Sequence, residues 1–168
     1  APGGYSTFDG ATFRHFIIDD PHFEAIYNST IMVDSQGRLW LGLNGIGTGY
    51  VENNKFVSIS PTDGLVGEIV DYIYEDSREN IWIATPKGIS KYDGKYLTNY
   101  TTREGLLSNE VNAIIEDAVG GIWVSAGNYM HRFGNEELDV IVDSEEKPSR
   151  IGGKMAFSDS KTLWTASS

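Results

Sequence analysis

The sequence predicts an all-β protein built from four copies of one small antiparallel sheet. First, four tryptophans recur at separations of 42, 41 and 41 residues: Trp40, Trp82, Trp123 and Trp164. Second, an aspartate precedes each of them by five or six residues: Asp34, Asp76, Asp117 and Asp159. Third, short runs of β-branched and aromatic residues alternate with Asn, Asp and Gly clusters, the pattern of strands joined by tight turns. We therefore interpret the recurring tryptophans and aspartates as structural positions of a repeat.

One period shows the elements of the repeat in order. Four runs predict strands over Val111–Ile115, Ile122–Ser125, Tyr129–Phe133 and Leu138–Val142. Four antiparallel strands in about 41 residues are typical of one β-propeller blade. A blade is apolar on both faces and buries them only by stacking on its neighbours, so we expect the large tryptophan to lie between blades.

The two chain ends carry parts of one repeat. Phe8-Asp9-Gly10 near the N-terminus echoes Tyr92-Asp93-Gly94, and the last tryptophan lies close to the C-terminus. We predict a single domain over residues 1–168, with one blade shared between residues 1–17 and 151–168. Pairing of these segments closes a four-bladed ring. A piece of a larger ring and two chains forming eight blades are the alternatives.

Composition excludes several classes of partner. The chain has 24 acidic and 13 basic residues and a net charge of −11, which disfavours binding to nucleic acid. It holds no apolar run long enough to insert into a membrane. Without cysteine it has no disulfide framework and no thiolate ligands. We predict no cofactor and no metal.

An ordered string of motifs resembles the two-component regulator propeller repeat. It comprises Ile81-Trp82-Ile83-Ala84-Thr85, Gly88-Ile89, Lys91-Tyr92-Asp93-Gly94, Tyr100-Thr101, Glu104-Gly105-Leu106, Ser108-Asn109 and Val111. The segment Ile114-Ile115-Glu116-Asp117, followed by Gly120 and Ile122-Trp123-Val124, resembles the start of the next copy. The resemblance implies the sensor β-propeller of a bacterial hybrid two-component system. Such domains lie in the periplasm or outside the cell, and many of those systems respond to oligosaccharides.

The resemblance implies a signal-transduction module that recognises a glycan or another small ligand, and not an enzyme. A propeller-fold lyase or glycosidase is the first alternative, and it needs a converged set of histidine and carboxylate groups. An interaction scaffold is the second alternative, including a homodimer formed through blade edges.

Repetition separates structural residues from candidates for binding. The pairs Glu75-Asp76 and Glu116-Asp117 recur from repeat to repeat, which favours turn chemistry over catalysis, so we predict no catalytic residue. Loop residues that differ between repeats are the ligand-binding candidates, because amides, cations and an aromatic ring suit sugar recognition. They are Asn44, Lys87, Arg103, Asn128, Tyr129 and Arg150.

Three histidines occupy unlike positions of the repeat: His15, His22 and His131. Their spacing predicts no convergence on a metal ion or on a carboxylate. His131 aligns with Ser90, a polar strand residue, and we predict that its side chain is exposed to solvent.

Overall fold

The structure is a computed structural model that describes residues 4–18, 28–134, 137–141, 155–158 and 162–165. Within these ranges the chain forms sixteen strands and one turn of 3-10 helix at Pro61–Asp63. The strands form three antiparallel sheets of four strands and two hairpins of two strands. The predicted all-β class and the predicted four-stranded blades are confirmed.

The strands follow each other in sheet order. The N-terminal hairpin comprises β1 (Gly4–Phe8) and β2 (Phe13–Ile17). The first complete sheet comprises β3 (Asn28–Val33), β4 (Leu39–Leu43), β5 (Gly47–Glu52) and β6 (Lys55–Ile59). The second comprises β7 (Tyr72–Glu75), β8 (Ile81–Thr85), β9 (Gly88–Tyr92) and β10 (Leu97–Tyr100). The third comprises β11 (Val111–Glu116), β12 (Ile122–Ala126), β13 (Tyr129–Gly134) and β14 (Glu137–Ile141). The C-terminal hairpin comprises β15 (Met155–Phe157) and β16 (Leu163–Thr165).

The N-terminal hairpin has the turn of a complete sheet. The carboxylate of Asp93 accepts the backbone N–H groups of Lys95 and Tyr96 at 2.9 and 2.7 Å, in the turn between β9 and β10. Asp9 accepts the N–H groups of Ala11 and Thr12 at 3.0 and 2.8 Å, between β1 and β2. The glycine after each aspartate has a positive φ, 93° and 95°, which a residue with a side chain adopts only under strain. The hairpin β1–β2 therefore corresponds to the third and fourth strands of a blade.

Tryptophans fill the layers between neighbouring sheets. Trp40 of the first sheet packs with Ile73 and Ile83 of the second. Trp82 of the second sheet packs with Ile114 of the third, and its ring centroid lies 5.1 Å from that of Phe133. Each sheet thus buries its faces against its neighbours, as we expect of propeller blades.

A second contact between sheets repeats along the stack. The side chain of Glu75 in the second sheet accepts the backbone N–H and the hydroxyl of Ser35 in the first, at 2.7 and 2.8 Å. Glu116 of the third sheet accepts the same two groups of Ser77 in the second, at 2.7 and 2.5 Å. At the next step of the sequence, Ala118 replaces the serine and Ser158 replaces the glutamate. The hydroxyl donor and the carboxylate acceptor are thus lost together.

The two hairpins pack on the two outer sheets of the stack. Tyr5 of β1 packs on Leu41 and Leu43 of the first sheet, whereas Phe157 of β15 packs edge-on against Trp123 of the third, with ring centroids 6.1 Å apart. Among the described residues no strand pairing joins β1 or β2 to β15 or β16. Ring closure, the repeat count and the shared first blade stay predictions.

Candidate functional site

Connections between strands form two distinct ends of the stack. We call one of them the loop end: residues 44–46, 86–87 and 127–128, which follow the tryptophan strands, and the inter-sheet connections 60–71 and 101–110. These segments meet: the N–H of Gly45 donates to the carbonyl of Glu68 at 3.0 Å, and that of Gly127 to the carbonyl of Glu110 at 2.7 Å. The opposite end, the turn end, holds residues 34–38, 76–80 and 117–121 and the Asp-Gly turns.

At the turn end each aspartate is bonded to the tryptophan of its own sheet. The indole Nε1–H donates to Asp Oδ2 at 2.8 Å in Trp40–Asp34, at 2.8 Å in Trp82–Asp76 and at 2.9 Å in Trp123–Asp117. Asp Oδ1 accepts the backbone N–H groups two and four residues later, at 2.7 to 3.1 Å. The carboxylate thus closes the turn and fixes the ring, which accounts for its recurrence in every complete sheet.

Electrostatics keep two of these carboxylates ionised. Burial alone raises the pKa of Asp117, but hydrogen bonds from the Trp123 indole and the Arg132 guanidinium outweigh it and hold the pKa well below its usual value. The pKa of Asp34 is lowered in the same way against its burial, by Trp40 and Arg38. A group with so low a pKa is a poor proton donor at neutral pH, which weakens a role in acid catalysis.

The loop end carries the candidates that vary between repeats. Asn44, Lys87, Arg103, Asn128 and Tyr129 are all exposed there, spread over three sheets. Arg150 lies outside the described residues. The ammonium of Lys87 lies 4.0 Å from the carboxylate of Glu68, and both side chains are more than half exposed. The structure therefore puts five candidates on one end without bringing them into a single enclosed pocket.

A shallow depression lies beside Lys87. Its volume is about 40 Å³, and Gly67, Glu68, Ile69, Pro86 and Lys87 line it. Asp71 stands at the start of β7, close along the chain, and its N–H donates to the carbonyl of Ala84 at 2.9 Å. Desolvation raises the pKa of Asp71 above its usual value. The surface that lines the depression is apolar, so the charged ends of Glu68 and Lys87 do not face into it.

Sequence reasoning did not find the acidic groups of this end. Glu68, Asp71 and Glu110 are exposed at the loop end, and Asn112 occupies the position of Asp71 in the next repeat. The amide of Asn112 donates to the carbonyl of Gly127 at 3.2 Å, which ties the start of β11 to the following turn. The sequence did offer one signal: aligned positions 71 and 112 carry different residues, Asp71 and Asn112, which marks this position as variable between repeats.

The predicted exposure of His131 is wrong. Its side chain is fully buried, and Nε2 accepts the backbone N–H of Leu107 at 3.0 Å. Ser90 does the same in the previous repeat, where Oγ accepts the N–H of Val66 at 3.0 Å. His131 thus has the role of its counterpart: it anchors the inter-sheet connection. Among the described residues its Nδ1 has no hydrogen-bond partner, and burial lowers the pKa of the imidazole.

We expect stability to depend on the protonation of His131. Because its folded pKa is lowered, the unfolded chain binds more protons in mildly acidic solution. The contribution of neutral His131 to the free energy of unfolding is fully present above the unfolded pKa of about 6.5, and it is lost as pH decreases below that value. Urea unfolding from about pH 8 to about pH 5 measures this dependence. His131→Ser should flatten it, whereas His15→Ser, at an exposed position, should keep it; an unchanged slope in His131→Ser contradicts the assignment.

The described residues offer no metal centre and no spanning helix. Among them, no group of three or more histidine, cysteine or acidic side chains is placed to hold a metal ion. No helix in the same part of the chain has the length and apolar character needed to cross a membrane.

The stacked four-stranded sheets and their open loop end define the class: a β-propeller repeat protein. Residues 105–128 match the family described as two component regulator propeller. This match, from the end of one repeat to the tryptophan strand of the next, confirms the resemblance stated from the sequence. No curated protein sequence matches the chain.

Solved structures share the fold. The extracellular domain of a putative hybrid two component system from B. thetaiotaomicron superposes with a TM-score of 0.71 and 23% identity, over 83% of this chain and 20% of that one. The extracellular domain of a putative one component system from the same organism gives 0.71 and 20% identity, over 98% of this chain and 26% of that one. Virginiamycin B lyase from Staphylococcus aureus superposes with a TM-score of 0.67 and 16% identity, over 83% of this chain and 48% of that one. At these identities the likeness shows the fold. The chain spans about a quarter or less of the two extracellular domains.

Proposed function

We propose that this chain is a ligand-sensing segment of a β-propeller regulator and that it recognises a neutral oligosaccharide or a similar small polar molecule at its loop end. The observation that carries the proposal is that the turn end holds recurring structural contacts, whereas the loop end holds variable exposed groups. At the turn end the recurring carboxylates are engaged in hydrogen bonds that repeat from sheet to sheet, for example Asp76 with Trp82 and Asn80. The loop end instead presents exposed groups that differ from repeat to repeat.

The chemistry of the loop end suits sugar hydroxyls. Asn44 and Asn128 offer both donors and acceptors, Lys87 and Arg103 offer donors, and the phenol ring of Tyr129 offers an apolar face. Glu68 adds an acceptor beside Lys87, and Asp71 adds an exposed acceptor at the start of β7. Because the net charge is −11, an uncharged glycan is favoured over a polyanionic one.

Family and neighbours support a signalling role outside the cytoplasm. The matched family is named for two-component regulators, and two of the structural neighbours are extracellular domains, one of a putative hybrid two component system and one of a putative one component system. We place this chain in the periplasm or outside the cell, as part of a larger regulator. The output of the signal then belongs to another part of that regulator.

A binding role accounts for the site better than an enzymatic one. The carboxylates at the turn end have lowered pKa values or serve as turn acceptors, and His131 is buried beneath the loop end with its Nε2 in use. Neither arrangement supplies an accessible acid and base side by side. The likeness to a lyase rests on 16% identity, and we propose no lyase activity from it.

Thermal unfolding with a panel of neutral oligosaccharides tests the proposal. A ligand that binds only the folded chain raises Tm as its concentration exceeds Kd. For an oligosaccharide that raises Tm, Lys87→Met should increase Kd about tenfold, because it removes a charged hydrogen-bond donor. Lys95→Met is the matched control, since Lys95 is an exposed lysine in the Asp-Gly turn of the same sheet, at the opposite end. If no sugar raises Tm, or if both variants weaken binding equally, the loop end is not the site.

A further inference from the structure

One position in the third strand of the complete sheets carries three different residues: Gly49 in β5, Ser90 in β9 and His131 in β13. Ser90 and His131 are fully buried, and each accepts a backbone N–H of the connection that leads into its own sheet. Glycine has no side chain for such a bond. Of the other two, only histidine titrates near neutral pH. The loop end is therefore attached to the third sheet through a titratable group.

In the second sheet two side chains hold the connection 60–71. Ser90 Oγ accepts the N–H of Val66 at 3.0 Å and donates its own proton to Asn99 Oδ1 at 2.6 Å. The amide of Asn99 donates to the carbonyl of Gly64 at 2.8 Å. A hydroxyl and an amide neither gain nor lose a proton between about pH 5 and about pH 8. The attachment of this connection is therefore double and independent of pH.

The third sheet lacks the second of these two attachments. Asn99 is opposite Ser90, whereas the residue opposite His131 is Val140, and valine has no hydrogen-bonding atom in its side chain. The N–H of Leu107 donates to His131 Nε2 at 3.0 Å. The attachment of the connection 101–110 thus depends more on one side chain than that of its counterpart does.

The bond from Leu107 also determines where the imidazole carries its proton. Because Nε2 accepts an N–H, the neutral ring is protonated on Nδ1. A second proton binds at Nε2, where it takes the lone pair that the Leu107 N–H uses. Two N–H groups then face each other. Protonation of His131 and its bond to Leu107 therefore exclude each other.

No described charge stabilises an imidazolium at this buried position. Burial lowers the pKa of His131 and the carbonyl of Val124 raises it, while no charged side chain that the structure describes contributes. β12 has no charged residue, and Arg132 of β13 is bonded to Asp117. The other titratable residues of the adjoining elements are Lys91 and Tyr100 of the second sheet, exposed Tyr129, exposed Arg103, Glu104 and Glu110 of the connection, and Glu137 and Asp139 of β14, which are opposite Gly134 and Arg132.

We propose that His131 is an acid-sensitive latch of the loop end: in mildly acidic solution Nε2 takes up a proton, the Leu107 N–H loses its acceptor, and residues 107–110 separate from the third sheet. The connection 60–71 keeps both of its attachments. Acid thus loosens one inter-sheet connection and leaves the other in place.

Residues 107–110 lie against the turn that carries two of the binding candidates. A Cβ added to Gly127 would lie 2.8 Å from the Cβ of Ser108, so the two segments are in close contact. Asn128 and Tyr129 follow directly in the chain. Release of the latch therefore changes their surroundings, and it lowers the affinity of the loop end for its ligand in acid. This last consequence rests on the proposed function, whereas the latch does not.

Amide hydrogen exchange followed by nuclear magnetic resonance tests the latch. The protection of the Leu107 N–H is divided by that of the Val66 N–H in the same sample, because Val66 is held by Ser90. A released histidine has a pKa of about 6.5, so opening at Leu107 becomes more favourable by up to about 30-fold between about pH 8 and about pH 5. We expect the ratio to fall about 10- to 30-fold. A ratio that stays constant, with or without loss of protection at both amides, overturns the proposal.

His131→Gln separates titration from attachment. The glutamine amide has an oxygen that accepts the Leu107 N–H and does not titrate, so the ratio should stay constant from about pH 8 to about pH 5. His15→Gln is the matched control, since His15 is exposed on β2, and it should keep the wild-type decrease. A decrease that persists in His131→Gln, or that disappears in His15→Gln, contradicts the assignment to His131.

The imidazole nitrogen resonances of the wild-type chain give a readout that needs no variant. We expect the Nδ1–H tautomer of His131 at about pH 8 and protonation of Nε2 over the pH range in which Leu107 loses protection. An Nε2–H tautomer at about pH 8, or loss of protection without protonation of this ring, overturns the proposal. No ligand is present in these measurements, so the latch and the sugar-binding role fail independently.

Discussion

Trp82→Ala is expected to lower the free energy of unfolding by about 3–5 kcal/mol, the range for large aromatic residues removed from a core. The indole lies between the second and third sheets, 3% exposed, with ring centroids 6.0 Å from Tyr100 and 5.1 Å from Phe133. Its removal opens a cavity at this layer and leaves Asp76 Oδ2 without the indole donor. The loss approaches the whole stability of many single domains.

Urea unfolding followed by circular dichroism measures this effect. Tyr96→Ala is the control, because it also removes an aromatic ring but one that is 61% exposed in the Asp-Gly turn. We expect a cost below about 1 kcal/mol for the control. Equal losses in the two variants contradict the assignment of Trp82 to the layer between sheets.

Asp34→Ala is expected to cost about 3–4 kcal/mol, because it removes a buried charge and leaves its partners unpaired. The carboxylate accepts the Trp40 indole at 2.8 Å and the Arg38 guanidinium at 2.6 Å, and its side chain is fully buried. Two backbone N–H groups also lose their acceptor. The variant is therefore expected to loosen both the turn between β3 and β4 and the ring of Trp40.

A pH series separates the charge of Asp34 from its packing. Since its folded pKa is lowered, this carboxylate contributes stability above the unfolded pKa of about 3.9, and the contribution is lost as pH falls toward the folded value. Asp34→Ala should thus differ least from wild type in acid. Asp93→Ala is the matched control: its carboxylate accepts two backbone N–H groups at an exposed turn without a buried partner, and we expect about 1 kcal/mol. If the two variants cost the same at neutral pH, the Asp34–Trp40 bond adds no stability.

The repeat made most of the fold predictable. Because Trp40, Trp82 and Trp123 stand at separations of 42 and 41 residues, the strands assigned to one period could be assigned to all three complete sheets. The strands of the third sheet differ from their predicted bounds by one residue at most. The contacts of Glu75 and Glu116 with the preceding sheet were not predicted, although Ser35 and Ser77 recur beside the turn aspartates as visibly as the glutamates do.

His131 shows where residue type misled the interpretation. Exposure was inferred because its counterpart in the previous repeat, Ser90, is a polar strand residue. Ser90 is itself fully buried and accepts a hydrogen bond from Val66 of the preceding connection, so the position, and not the residue type, sets the burial.

The candidate side chains of the loop end were less predictable because they do not repeat. Asn44, Lys87 and Asn128 were singled out by their differences, and a difference says that a position is free to vary, not what it contacts. Glu68 was recognised only because the fold brings its connection to the turns that hold Gly45 and Lys87.

Hydrogen exchange of the tryptophan indoles tests the central claim most directly, namely that each complete sheet is fixed by its own Asp–Trp bond. Nuclear magnetic resonance resolves the Nε1–H signals, and those of Trp40, Trp82 and Trp123 should exchange far more slowly than a free indole. Asp117→Asn should accelerate the exchange of Trp123 most, with smaller effects on the other two. Fast exchange of all three in the wild-type chain, or equal acceleration of all three by this variant, would contradict the claim.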